Sequence, residues 1–169
     1  MLSGDPFRFA IWCDQVDSWS TDRFQNGCFG YFIGGQLIWS LRSTLGDDIA
    51  SLRIFHCMEH SVEDERIFNL PVHDAYRELC CSAFPSMDSD AEDSDFRYRV
   101  SIDDSLSDEG WNVFLVEHAE VAKLIYGFNQ NADKVNEVIL KRGEFQQVAR
   151  EAIEKFRALF PIKPESGSR

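Results

Sequence analysis

The sequence predicts a single α+β domain over residues 1–160: a mainly antiparallel sheet packed against helices, with a long C-terminal amphipathic helix and a flexible tail over 161–169. Three observations predict it. Apolar residues alternate with polar ones in several short segments, two of which are joined by Gly34-Gly35. One apolar stripe at helical spacing runs from Phe145 to Phe160. No linker rich in Pro, Gly or Ser divides two cores, and nothing repeats.

The elements follow in order. Phe7, Phe9, Ile11 and Cys13 recur with period two, which predicts a strand. Gly4-Asp5-Pro6 before it reads either as a turn or as a contact site. Residues 17–27 are polar and turn-rich apart from Trp19 and Phe24. Residues 28–33 and 36–39 flank Gly34-Gly35 and predict a hairpin, because both central positions of a two-residue turn need positive φ. A short stripe of Ile49, Leu52 and Phe55 suggests a helix over 47–58. Val72, Tyr76, Leu79, Cys80 and Ala83 form a better one, with Pro71 where a first turn tolerates it and Pro85 as a stop.

Residues 86–95 are Ser, Asp and Glu without periodicity, a solvated loop. Phe96, Tyr98, Val100 and Ile102 then alternate with Arg97, Arg99 and Ser101, the pattern of a half-buried strand. Residues 111–116 are apolar at nearly every position, which predicts a central strand covered on both faces. Residues 121–128 and 135–140 are two more strands around the turn 129–133. Phe145, Val148, Ala149, Ala152, Ile153, Phe156, Leu159 and Phe160 complete the final helix, ended by Pro161 and Pro164.

Composition narrows the function. The 169 residues are 44% hydrophobic and 13% aromatic, enough for a packed interior. A formal charge of −12 argues against a nucleic-acid binder, since phosphate contacts need clustered Lys and Arg. No membrane-length apolar run or secretory leader is visible, and five cysteines without framework spacing read as reduced thiols, so a cytoplasmic protein is expected.

Candidate chemistry is sparse. His56 and His60 stand four apart around Cys57 and Glu59, a spacing that on a helix puts both imidazoles on one face. The Glu placement of a zinc peptidase and a second ligand pair are both missing, so solvated or packed histidines are the plainer reading. Cys57 with His56 or His60 remains the alternative, a small thiol- or metal-dependent hydrolase; its rival is a core cysteine. The glycines sit in a hairpin and do not form a phosphate cradle.

Charge is more informative. Residues 86–109 carry Asp88, Asp90, Glu92, Asp93, Asp95, Asp103, Asp104, Asp108 and Glu109 against Arg97 and Arg99, a net of −7. Residues 134–169 carry a net of +3. A field so dense serves solubility or a basic partner, whose association it accelerates. Calcium is disfavoured, because the run lacks the glycine and closing glutamate of an EF-hand loop.

The chain also resembles a family. Gly4-Asp5-Pro6-Phe7-Arg8-Phe9-Ala10-Ile11, continuing through Asp14, Val16, Asp17 and Trp19, is similar to the opening of the immunity protein 42 family. The hairpin 27–35, the strand 111–116, and Val138-Ile139-Leu140 leading into Gly143-Glu144-Phe145 are similar as well. The likeness covers most of the chain and is weakest over 41–95. It implies a small bacterial protein of polymorphic-toxin or contact-dependent inhibition systems, which binds and neutralises a cognate toxin C-terminal domain without catalysis, cofactor or metal. It carries over no catalytic residues. An acidic surface fits a basic nuclease cleft as a mimic of the phosphate backbone. The nine acids above are therefore the expected partner-binding residues, with Trp19, Phe24 and Trp39 as candidate anchors.

Overall fold

The computed structural model describes residues 1–86 and 94–161. It contains a four-stranded antiparallel sheet, β1 (Leu2–Asp5), β2 (Phe9–Gln15), β3 (Asn26–Ile33) and β4 (Gln36–Thr44), in that order, and a three-stranded one, β5 (Trp111–His118), β6 (Val121–Phe128) and β7 (Val135–Lys141). Four α-helices accompany them: α1 (Leu45–Ser51), α2 (Glu65–Asn69), α3 (Val72–Ala83) and α4 (Glu144–Leu159). The α+β class stands.

The predicted hairpin forms as expected. Gly34 and Gly35 take φ of 59° and 84°, and Ile33 pairs with Gln36 across the turn. Alternation along the first sheet sends Phe9, Ile11, Phe29, Tyr31, Ile33 and Ile38 inward, all fully buried. α4 lies on this inner face, its Phe145 ring stacked on Phe9 at 4.9 Å and edge-on to Tyr31 at 6.4 Å.

In the second sheet β5 and β6 are buried on both faces, while β7 is largely exposed. Phe114 meets Tyr76 of α3 edge-on at 5.8 Å, and Asn112 Nδ2 donates to the Asn129 carbonyl at 2.7 Å. Residues of the opposite parity face the first sheet, where the Tyr126 hydroxyl donates to Gln36 Oε1 at 3.0 Å. Gly127 allows α3 to sit close: a Cβ there would stand 2.9 Å from the Tyr76 ring.

Four expectations need correction. The first strand starts at Phe9, not Phe7. Pro6 to Arg8 form a turn closed by Arg8 N–H to the Asp5 carbonyl, and Phe7 is left 83% exposed. A strand over Leu2–Asp5, unforeseen, pairs in front of it. The expected helix over 47–58 breaks: α1 ends at Ser51, and only a 3₁₀ turn, His56–Met58, follows.

The run from Phe96 to Ile102 buries Tyr98, Val100 and Ile102 as the alternation requires, but it is not a strand. It meets β5 through one bridge, Arg99 to Phe114, with Val100 N–H to the Val113 carbonyl and Leu115 N–H to the Tyr98 carbonyl. A turn at 96–99 bends the chain before more ladder can form. Finally, β5 is buried on both faces but is not central, since β6 holds the middle of its sheet. Its outer edge is met by that bridge and by a second from Glu63 to Glu117, where Glu117 N–H donates to the Val62 carbonyl and Asp64 N–H to the Glu117 carbonyl.

Candidate functional site

The described part of the acidic stretch, 94–109, is tied down near both ends. Asp95 N–H donates to the Ser82 carbonyl at the end of α3, and Arg97 Nε lies 2.7 Å from Asp95 Oδ2. After Ile102 a single π-helical turn, Asp103–Ser107, carries the chain toward β5. Ser107 N–H reaches the Ile102 carbonyl at 2.9 Å. Leu106 and Ser105 point inward from this turn, whereas Asp103, Asp104, Asp108 and Glu109 face solvent. The wide turn thus drives one leucine into the core and displays two acids, with two more directly after it. Gly110, at φ 93°, reverses the chain into β5.

Arg99 holds the turn in place. Its side chain is mostly buried, with the guanidinium 5.2 Å from the Phe84 ring centre and 5.5 Å from that of Phe96. It bonds Asp103 Oδ1 at 2.5 Å and Ser107 Oγ at 2.6 Å. Glu109 Oε1 accepts from Ser40 Oγ at 3.2 Å, tying the end of the acidic stretch to β4. Asp95, half-buried, and the four exposed acids therefore share one continuous segment. Asp88, Asp90, Glu92 and Asp93 lie outside the described residues.

The aromatic candidates are all partly free: Trp19, Phe24 and Trp39 are each about half exposed. They do not form one cluster in sequence. Trp19 lies on a 3₁₀ turn after β2 and Phe24 in the loop leading to β3, while Trp39 projects from β4.

The Cys/His alternative finds no support. Cys57 is buried, and burial first, then the nearby Glu117 charge, pushes its thiol up to about 12, so no thiolate nucleophile is available at neutral pH. The His56 and His60 rings lie 4.5 Å apart and are both exposed. Among the described residues no group of three or more His, Cys, Asp or Glu is placed to hold a metal ion. A cleft of about 660 Å³ does open between Phe55, His56, Glu63, Tyr98 and Arg99. Its acids are already engaged: Glu63 with Arg142, Asp95 with Arg97 and Asp103 with Arg99.

The model of immunity protein 42 matches residues 1–155. This chain belongs to the immunity protein 42 family. The immunity protein is also similar to a crystal structure of CdiI from Burkholderia dolosa, at 58% identity and a TM-score of 0.89 over 92% of this chain and 99% of that one. No curated protein matches it. No helix among the described residues of this immunity protein is long and apolar enough to cross a membrane.

Residues outside the sequence-based candidates also reach the surface. Leu2 and Leu41, on the two edge strands of the first sheet, are 41% and 48% exposed. The signal lay in the strands: positions 10, 12, 30 and 32, which alternate with the inward set, are apolar or glycine too.

Proposed function

We propose that this immunity protein binds and neutralises a cognate bacterial toxin domain of a contact-dependent inhibition system in the cytoplasm, by occlusion and without catalysis, cofactor or metal. Membership of the immunity protein 42 family over residues 1–155 is the observation that carries this reading. The partner presents a basic face, as a nuclease cleft does. Asp95, Asp103, Asp104, Asp108 and Glu109, together with Asp88, Asp90, Glu92 and Asp93, steer it.

Physical support comes from the way the acids are displayed. Asp103 and Asp104 project from a turn held by the mostly buried Arg99 and by Leu106, and Asp108 and Glu109 follow it directly, so the separation of the four is set before the partner arrives. A fixed negative field raises the association rate and rejects partners of like charge, while fully solvated rim charges add little affinity. The interface therefore needs an apolar centre as well.

The test is co-purification and titration calorimetry with the C-terminal domain of the protein encoded immediately upstream. The expected result is a complex with Kd on the order of nanomolar, its association slowed about tenfold or more at high salt. Tight binding indifferent to salt would keep the immunity role and remove the charge argument. Absence of any complex would overturn the proposal.

A further inference from the structure

We propose that the toxin domain seats on the outer face of the first sheet, with Trp39 and Trp12 as anchors and Lys or Arg side chains of the toxin along its β4 margin. This rests on the immunity reading above. The register builds the face. Leu2 stands opposite Trp12, Trp12 opposite Gly30 and Gly30 opposite Trp39, so one row crosses all four strands. The neighbouring row holds Ala10, Phe32 and Leu37. Both rows have the parity opposite to Ile11, Tyr31 and Ile38, which fill the core beneath α4.

Gly30 fixes the sidedness: a Cβ there would lie 3.0 Å from Trp39 Cβ and 3.1 Å from Leu37 Cδ1, on the face these side chains share. Trp12, Phe32 and Leu37 are only half-buried, and Leu2, Trp39 and Leu41 are exposed. None of the six belongs to the hydrophobic core or packs against it. An antiparallel sheet face left to water ordinarily reads polar. One with two tryptophans, a phenylalanine and three leucines marks an interaction surface.

Charge selects the occupant. The π-helical turn packs along β4, the edge strand that carries Trp39 and Leu41, and Glu109 is bonded there to Ser40, whose buried side chain points to the inner side of that edge. Asp104, Asp108 and Glu109 are thus exposed at this margin, against Arg42 on β4. An apolar centre with an acidic rim matches a basic protein that carries a complementary apolar patch. A second copy of this chain, at −12, would bring two acidic margins together instead.

The experiment measures binding of the same upstream-encoded toxin C-terminal domain to purified Trp39→Ala, Leu41→Ala and Ile54→Ala variants, with circular dichroism and thermal midpoints as folding controls. Ile54, on the rim of the cleft near His56, is exposed and away from this face. The expected result is Kd raised about thirtyfold or more by Trp39→Ala, and severalfold by Leu41→Ala, with Ile54→Ala within about threefold of wild type. If wild type binds and both β4 variants bind equally well, the seat is elsewhere and the immunity role stands. If wild type does not bind at all, the functional reading itself fails. Should Trp39→Ala lose its fold, Leu41→Ala and Leu41→Asp decide alone. A dimer of the isolated chain that Leu41→Asp dissolves, with toxin binding unchanged, would assign the face to a second copy and overturn the proposal.

Discussion

Asp48 is the residue whose burial has the clearest thermodynamic consequence. It is almost wholly removed from solvent and accepts a hydrogen bond from Ser43 Oγ. Burial raises its carboxyl from the ordinary 3.8 to about 6, opposed by the Ser43 bond. A carboxyl with a raised native pKa binds its proton more tightly in the folded state, so its contribution to stability is complete below about pH 4. That contribution is lost as the pH climbs through 6. Its size is about 2–3 kcal/mol, the free-energy equivalent of raising the carboxyl that far. Denaturant titrations from pH 4 to 7 should show wild type losing stability over that window and Asp48→Asn losing far less. Equal slopes for the two would remove Asp48 as the cause. Cys57 yields a second residue-scale expectation. With its thiol pushed up to about 12 inside the core, it should stay unlabelled by a thiol reagent in the native protein, whereas exposed Cys81 reacts first.

At the level of elements, what the sequence revealed depended on how local the determinant was. The Gly34-Gly35 hairpin and α4 carry their instructions within a few residues: two positive-φ glycines and a continuous apolar stripe. Both form as expected, and Phe145, the first residue of the stripe, joins α4 to both Phe9 and Tyr31. Phe145→Ala should therefore cost about 3–5 kcal/mol in chemical denaturation. The segment from Phe96 to Ile102 alternates as well as any strand in the chain, yet makes only one bridge. Its outcome rests on a distant edge of β5 and on Arg99 turning in beneath Phe84 and Phe96, neither of which period two encodes. The strand Leu2–Asp5 is not legible in the sequence, because four residues are too few to show alternation and two of them, Gly4-Asp5 before Pro6, carry a turn signal. Of the candidate site, the exposure of Asp103, Asp104, Asp108 and Glu109 was legible from charge density. Their presentation on a π-helical turn was not, since it depends on Leu106 being drawn into the core. The close fit of α3 on β6 is likewise tertiary. Gly127→Ala should press its methyl group against the Tyr76 ring and cost about 1–3 kcal/mol, visible as a lowered thermal midpoint.

For the whole molecule, the organising feature is an uneven surface. A chain of net −12 concentrates a net charge of −7 in residues 86–109 and sets part of that segment along β4, an edge strand of the first sheet. Neutralising Asp103, Asp104, Asp108 and Glu109 together, to Asn and Gln, should slow association with the toxin domain roughly tenfold at low salt and flatten the salt dependence, with dissociation little changed; stopped-flow mixing reads both rates. The measurement that bears most directly on the central claim is growth of cells producing the upstream-encoded toxin domain with and without this chain, alongside a check that both proteins are soluble. Neutralisation by binding predicts full growth when the immunity protein is at least equimolar with the toxin domain, and arrest when it falls below. Arrest that persists with both proteins soluble and the immunity protein in excess would contradict it.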